Sequence, residues 1–208
     1  MIATGRPIAK HSTNKTTEGP MNMPKLVAYT SVSLDGYFTD ANGDMNWAHK
    51  HDPEWQAFVS ENASRGGQLL FGRVTYDLMA GFWPTALAAQ SNPVVVERMN
   101  NLRKFVFSRK LDQVTWNNTT LLKGDLAVEV RKLKQEPGPN IVVMGSGSVV
   151  AQLAEAGLID EYQIVLNPIV VGGGRTMFEG VKRKLPMKLA SSRAFGNGNV
   201  VLFYQPAA

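Results

Sequence analysis

The sequence predicts an α/β protein, a three-layer sandwich in which helices cover both faces of a mostly parallel central sheet. Short apolar stretches alternate with amphipathic helical stretches from residue 25 onward, and this order builds parallel sheets from strand-helix-strand units. Residues 140–145 are almost continuously apolar, which is typical of a parallel strand buried on both faces. These two observations carry the prediction.

The first half of the chain gives two strands and two helices. The first strand is rich in β-branched and aromatic residues and is expected to stop at the turn dipeptide Asp35-Gly36. The first helix is marked by Asp52 as N-cap and by Pro53, which suits the first helical position. In order, the predicted elements are a strand (25–38), a helix (52–64), a strand (68–72) and a helix (73–82) that ends near Gly81.

The second half continues the alternation and ends in strands. Its helical stretches are amphipathic, and its strands are short and apolar. The last strand is interpreted as an edge strand or one member of an antiparallel pair. The predicted elements are strands at 104–108 and 120–124, a helix (125–134), a strand (140–145), a helix (148–157) and strands at 160–172 and 199–206.

The first 24 residues differ from the rest in composition. They are rich in Thr, Lys, Asn and Pro and poor in apolar residues, so we expect a disordered leader or a cloning remnant there. Residues 25–208 are expected to form a single domain, since they are enough for one substantial core. The leader has no apolar stretch of the kind that a secretory signal needs.

Composition restricts the partners. The chain has no cysteine, which fits a cytoplasmic protein, and no apolar run of 18 residues, so no membrane partner is expected. The net charge of +5 is spread out, with +2 in residues 1–23 and +3 in the rest, which does not indicate a nucleic-acid partner. His49 and His51 are two residues apart and point to opposite sides of a helix, so no metal site is predicted.

Two glycine turns have the same chemistry. In each, a buried strand reaches glycine and a helix starts at once, which presents free backbone N–H groups and the positive end of a helix dipole at the carboxyl edge of the sheet. Glycine lets a phosphate approach the backbone, hydroxyls add donors, and an arginine suits a phosphate monoester. A tight turn without ligand is the alternative. The turns comprise Gly72, Arg73 and Thr75, and Gly145, Ser146, Gly147 and Ser148.

Neither turn matches the two best-known nucleotide motifs. The turn at Gly145 lacks the third glycine of a Rossmann fingerprint and an acidic residue about 20 positions later, and residues 172–176 are not a P-loop. A nucleotide would have to be bound in another way.

Four further stretches occur in a fixed order: LVAYTSVSLDGYFTDANGDMNW (26–47), LLFGRVTYDLM (69–79), KFVFSR (104–109) and residues 141–178. In this order they resemble the dihydrofolate reductase-like superfamily, and most closely the branch that contains the C-terminal reductase domain of the riboflavin biosynthesis bifunctional deaminase-reductase. The resemblance covers residues 25–205 and implies the fold predicted above and NADPH as cofactor.

The resemblance also implies cofactor residues. Arg73 corresponds to the family's arginine at the 2′-phosphate of NADPH, in a Gly-Arg-x-Thr motif whose threonine, Thr75, lies by the pyrophosphate. Arg109 would favour NADPH over NADH, although an exposed arginine without a ligand is the alternative. The full predicted set is Gly72, Arg73, Thr75, Ser108, Arg109, Gly145, Ser146, Gly147 and Ser148.

The substrate end is less well defined. Asp52, with Glu54 as competitor, stands where folate-reducing members carry an acidic residue, but Asp52 is equally a helix N-cap. Asp35 belongs to a segment that resembles the family's SLDG near the nicotinamide, and it is also an ordinary turn residue. The catalytic candidates are therefore Asp52, Glu54 and Asp35, and the substrate candidates are Ser33, Trp47, Pro168 and Gly172.

The function predicted by resemblance is an NADPH-dependent reductase that transfers hydride to a small heterocyclic or carbonyl substrate. The alternatives are a stand-alone pyrimidinone reductase of riboflavin biosynthesis and an NADPH-binding sensor without turnover. The absence of a deaminase half weighs against the riboflavin pathway. A homodimer is expected because relatives commonly dimerise, with the apolar VVLFY stretch (200–204) as a possible interface.

Overall fold

The computed structural model describes residues 23–48 and 52–207, and strands and helices alternate through most of this part of the chain. A single turn of 3-10 helix lies at Asn46–Ala48. The strands are β1 (Leu26–Val32), β2 (Tyr37–Thr39), β3 (Gln68–Gly72), β4 (Arg103–Phe107), β5 (Thr119–Leu122), β6 (Ile141–Met144), β7 (Glu161–Leu166), β8 (Arg175–Thr176), β9 (Met187–Ala194) and β10 (Val200–Pro206). The helices are α1 (Pro53–Ser64), α2 (Arg73–Phe82), α3 (Ala86–Ala89), α4 (Pro93–Asn101), α5 (Leu126–Gln135) and α6 (Gly147–Glu155).

An eight-stranded sheet forms the middle layer, in the order β5-β4-β3-β6-β1-β7-β10-β9. The six strands from β5 to β7 are parallel. Strand β10 is antiparallel to β7, and β9 is antiparallel to β10. The predicted α/β fold with a mostly parallel sheet and an antiparallel C-terminal strand is therefore confirmed.

Alternate residues of the central strands supply the cores on the two faces. Leu70 of β3 packs with α5 and α6 on one face, whereas its neighbours Leu69 and Phe71 pack with Tyr76 of α2 and with residues of α4 on the other. A third cluster, which contains Trp55 and Phe195, lies under α1. The two-residue period of a strand explains why β3 feeds both cores and reads as a continuous apolar run.

Several element boundaries differ from the prediction. The first strand ends at Val32, shortly before the predicted turn at Asp35-Gly36, which the structure has, and the predicted strand at 160–172 ends at Leu166. Helix α4 and strand β9 were not predicted. The VVLFY stretch lies on β10 between β7 and β9, so the antiparallel alternative was right and the edge alternative was wrong.

Some predictions fall on residues that are not described. The proposed leader lies outside the described residues except for its last two positions, and so do His49 and His51. Within the described residues, no three histidine, aspartate or glutamate side chains come together as metal ligands. In the same part of the chain, no helix has the length and apolar character needed to span a membrane.

Candidate functional site

A large cleft lies at the carboxyl ends of four neighbouring strands, β4, β3, β6 and β1. It measures about 650 Å³, and helices α2 and α6 both begin at it, directly after β3 and β6. This is the edge where open α/β sheets bind ligands. All nine residues predicted to bind the cofactor line it: Gly72, Arg73, Thr75, Ser108, Arg109, Gly145, Ser146, Gly147 and Ser148.

The hydroxyl of Ser146 joins the two glycine turns. Its oxygen accepts a hydrogen bond from the Gly72 backbone N–H at 2.7 Å and the hydroxyl donates to Thr75 Oγ1 at 2.7 Å. Ser146 has a left-handed backbone with φ 58°, a conformation that costs a non-glycine residue about 1 kcal/mol or more. The two turns are thus fixed to each other by this residue, and its hydroxyl proton is used within the protein.

The start of α6 keeps free donors. Among the described residues, no acceptor takes the backbone N–H groups of Gly147 and Ser148, as expected for the first turn of a helix. The Ser146 side chain makes no cap bond to α6, and Ser148 is exposed. These donors and the helix dipole suit an anion such as a pyrophosphate.

Two of the glycines lie in close packing. A Cβ atom at Gly72 would lie 3.1 Å from Val149 Cγ2 and 3.2 Å from Ser146 Oγ. A Cβ atom at Gly147 would lie 2.5 Å from Cε1 of Phe38. Because Gly147 is buried against this ring, a side chain there would displace Phe38 as well as fill the cleft.

Three basic side chains line the end of the cleft next to β3 and β4. Arg73 forms an ion pair with Asp77 one helical turn later, with Nη1 at 2.8 Å from Oδ2, and both side chains are partly exposed. Arg109 and Lys110 are exposed and line the cleft. The buried Ser108 Oγ accepts from the N–H groups of Lys110 and Leu111. Ser108 therefore shapes the turn that presents Arg109.

A small antiparallel pair, β2 with β8, borders the cleft on the β1 side, and we call it the flap. Phe38 and Thr39 of β2 and Arg175 of β8 line the cleft. The Arg175 guanidinium lies 5.9 Å from the centroid of the Phe38 ring. At Gly174, beside β8, a Cβ atom would collide with Thr39 O, which explains the glycine at that position.

Asp35 ties the flap to the loop after β7. Its carboxylate accepts from the Ser33 hydroxyl at 2.6 Å, the Gly172 N–H at 2.8 Å and the Val171 N–H at 3.2 Å. The Ser33 hydroxyl also accepts from the Tyr37 N–H. The two motifs that the sequence singled out, SLDG and the glycine-rich loop at 172–174, are thus bound to each other.

The other predicted catalytic residues also have structural contacts. Asp52 caps α1 by accepting from the Trp55 N–H at 2.8 Å, and Glu54 pairs with Arg193 at 3.1 Å. Trp55 belongs to the core cluster under α1. None of the seven predicted catalytic and substrate residues is among the described residues that line the cleft: Ser33, Asp35, Trp47, Asp52, Glu54, Pro168 and Gly172. Their roles in the reaction stay predictions.

Several residues that line the cleft were not predicted from the sequence. They are mostly apolar or lack a recognisable motif, and the contact of Phe38 with Gly147 joins positions more than 100 residues apart. Residues 37–45 have no regular apolar pattern that could signal a site. The missed residues include Thr30, Phe38, Thr39, Met45, Leu78, Met79, Trp83 and Arg175.

Ser146→Ala is expected to lower the free energy of unfolding by about 1–2 kcal/mol, because the Gly72 N–H loses its acceptor in a partly buried site. Urea denaturation of both proteins measures the difference. Ser148→Ala, at the exposed neighbour, is the control and should change the value by less than about 0.5 kcal/mol. Equal losses in the two variants would contradict the joining role of Ser146.

Asp35→Ala is expected to speed hydrogen exchange of the Gly172 and Val171 amides, because both lose their acceptor. The Ser33 hydrogen bond, and then those from Gly172 and Val171, hold the pKa of Asp35 below its ordinary value of 3.8. The carboxylate contacts are therefore present above pH 4 and are lost as the pH falls through the lowered value. Exchange measured by NMR should show protection at pH 6 that decreases below pH 4. The Phe195 amide, bonded to Asn199 O in another turn, should not respond.

The fold and the cleft define the class of protein. The dihydrofolate reductase-like fold has a mostly parallel sheet that ends in an antiparallel strand pair, and here two glycine turns border the cleft at its carboxyl edge. The structure of dihydrofolate reductase from Enterococcus faecalis complexed with NADP(H) and RAB-propyl superposes with a TM-score of 0.59 at 14% identity, over 89% of this chain and 98% of that one. The structure of a putative riboflavin biosynthesis protein from Shewanella sp. PV-4 superposes with a TM-score of 0.67 at 22% identity, over 88% of this chain and 99% of that one.

The family is more specific than the fold. The family model of the RibD C-terminal domain matches residues 24–201, and the chain belongs to this family. The uncharacterized protein YyaP of Bacillus subtilis (strain 168) is 27% identical over 180 residues, which are 86% of this chain and 94% of YyaP. The family and the fold together indicate an oxidoreductase.

Proposed function

We propose that the protein is an NADPH-dependent reductase that transfers hydride to a small heterocyclic or carbonyl compound. The observation that carries the proposal is the arrangement of one cleft: two helix N-termini meet there, and Arg73 and Arg109 stand at one end of it. A dinucleotide with an additional phosphate needs such a combination, since backbone N–H groups suit a pyrophosphate and an arginine suits a phosphate monoester.

The residues present fit this cofactor. Glycine at positions 72 and 147 allows the close packing against Val149, Ser146 and Phe38 that shapes the two helix starts. The free N–H groups of Gly147 and Ser148 would hold the pyrophosphate, Arg73 and Arg109 the 2′-phosphate. NADPH supplies the hydride when bound. The chain's own part is to bind and orient the two reactants and to exclude water with the apolar wall of the cleft.

The cofactor proposal is tested by titration with NADPH, NADH and 2′,5′-ADP, followed by calorimetry. We expect NADPH to bind at least tenfold more tightly than NADH, since charge-assisted bonds to a phosphate contribute about 1.5–3 kcal/mol. We also expect 2′,5′-ADP to compete with NADPH. Equal affinities for NADPH and NADH would remove the proposed role of the two arginines.

The reaction is tested by NADPH oxidation with a panel of pteridines, pyrimidinones and quinones. Turnover with a phosphoribosylated pyrimidinone would support the riboflavin-pathway alternative, which the family membership of the chain favours. Turnover with another class would place the protein outside that pathway. Tight NADPH binding without turnover across the panel would favour the sensor.

A further inference from the structure

Thr30 has a buried hydroxyl that makes no hydrogen bond within the described part of the chain. The residue lies on the central strand β1 and is 4% exposed. Among the described residues, no hydrogen-bond partner is found for its Oγ1, and the residue lines the cleft. A buried hydroxyl without a partner is destabilising, so native proteins rarely keep one without a reason.

A second hydroxyl of the same kind lies in the flap. Thr39 on β2 also lines the cleft, and its Oγ1 is buried with no partner among the described residues. Thr30 and Thr39 thus border the same cleft, one on the sheet and one on the flap. Hydroxyl groups both donate and accept, so the two together suit a group that has a donor and an acceptor.

The order of the strands shows which part of a ligand would reach Thr30. Arg109 follows β4, Arg73 follows β3, the second glycine turn follows β6, and Thr30 lies on β1, and these four strands are neighbours in that order. The Gly145 N–H donates to Tyr29 O, so Thr30 is adjacent to the second glycine turn. Three strand spacings separate β4 from β1, roughly 14 Å. With the 2′-phosphate at the arginines and the pyrophosphate at α6, the other end of the dinucleotide falls at β1.

We propose that the hydroxyls of Thr30 and Thr39 bind the carboxamide of the nicotinamide ring. The inference rests on the proposed NADPH function, and it assigns these two residues as positioning residues for the reacting ring. A primary carboxamide has N–H donors and a carbonyl acceptor, which matches two hydroxyls. Phe38 directly precedes Thr39 in β2 and lies against Gly147. Its ring would add an apolar wall beside the nicotinamide ring.

The test uses Thr30→Val, which keeps the shape of the side chain and removes the hydroxyl. Calorimetry should show NADPH binding weakened about threefold to tenfold, the loss of one hydrogen bond, with binding of 2′,5′-ADP unchanged because that ligand has no nicotinamide. The melting temperature of the ligand-free variant should rise by about 2–4 °C, since a buried hydroxyl without a partner is replaced by a methyl group. Thr39→Val should show the same pattern, and Thr119→Val, on the outer strand β5 away from the cleft, is the control.

The outcomes separate this inference from the proposed function. If the unmodified protein does not bind NADPH, the proposed function fails. If it binds NADPH and Thr30→Val weakens NADPH and 2′,5′-ADP equally, or weakens neither, the assignment of the hydroxyls is overturned while the cofactor stands. A fall in the melting temperature of the ligand-free variant would show that Thr30 Oγ1 has a structural partner, and would also overturn it.

Discussion

Lys104→Met is expected to lower the free energy of unfolding by about 2–4 kcal/mol. Lys104 on β4 is fully buried, and its Nζ donates to Met99 O, Asn100 O and Leu102 O at 2.8–3.0 Å. These oxygens belong to the C-terminal turn of α4, where a helix has carbonyls without intrahelical partners. The Nζ also lies 4.5 Å from the centroid of the Trp116 ring. Methionine has a similar length but leaves the three carbonyls without a donor, which costs far more than removing an exposed lysine.

The same lysine predicts a pH dependence. Burial lowers the pKa of Lys104 from 10.5 to about 8, so between pH 8 and 10.5 the unfolded chain binds more protons than the folded one. Stability then rises with pH across this window, by up to about 1.4 kcal/mol per unit for one group. Below pH 8 both states are protonated and the effect is constant. Relative to Lys104→Met, the unmodified protein should therefore become more stable from pH 8 to 10.5.

Urea denaturation at pH 7, 8, 9 and 10 measures both effects. Lys188→Met, at an exposed position of β9, is the matched control and should differ from the unmodified protein by less than about 0.5 kcal/mol. A loss for Lys104→Met as small as that of the control would contradict the capping role. A difference between the unmodified protein and Lys104→Met that stays constant with pH would show that Lys104 titrates near its ordinary value.

Lys104 also shows where sequence reasoning stops. In the strand KFVFS, a leading lysine reads as the exposed start of the strand, because a charged residue at a strand end is usually solvated. Its burial follows from two distant contacts, the end of α4 and Trp116. Helix α4 itself was not predicted, although Asn92 caps it and Pro93 opens it. Three consecutive valines, which are poor helix formers, hid those signals.

The location of the cleft was easier to predict from the sequence than the residues that complete it. A glycine directly after an apolar strand and directly before a helix specifies a local geometry, and parallel strands bring all such turns to one edge. This is why nine predicted residues from three segments of the chain line one cleft. The Ser146 hydrogen bond to Thr75 and the flap over β1 join positions far apart in sequence. Nothing local signals such contacts, so the substrate end could not be derived from the sequence in the same way.

Arg73→Ala is expected to weaken NADPH binding tenfold or more and to leave NADH binding almost unchanged. The reason is that a charge-assisted hydrogen bond to the 2′-phosphate contributes about 1.5–3 kcal/mol, and NADH lacks that phosphate. Calorimetric titration with both nucleotides measures the two losses. Equal losses for NADPH and NADH would refute the role. Arg131→Ala, at an exposed position of α5, is the control and should change neither affinity.

Asp77→Asn should act in the opposite direction on the same ligand. Asp77 pairs with Arg73 at 2.8 Å, so its carboxylate both occupies the guanidinium and repels a phosphate bound there. An exposed pair one helical turn apart is worth only about 0.3–0.5 kcal/mol, so removing the carboxylate costs little stability and should tighten NADPH binding about twofold to threefold. NADH binding should not change. The two substitutions lie on one helix turn and have opposite predicted effects on NADPH affinity. A general disturbance of α2 would weaken NADPH binding in both variants. Recognition of a phosphate by Arg73 would instead weaken it in Arg73→Ala and tighten it in Asp77→Asn.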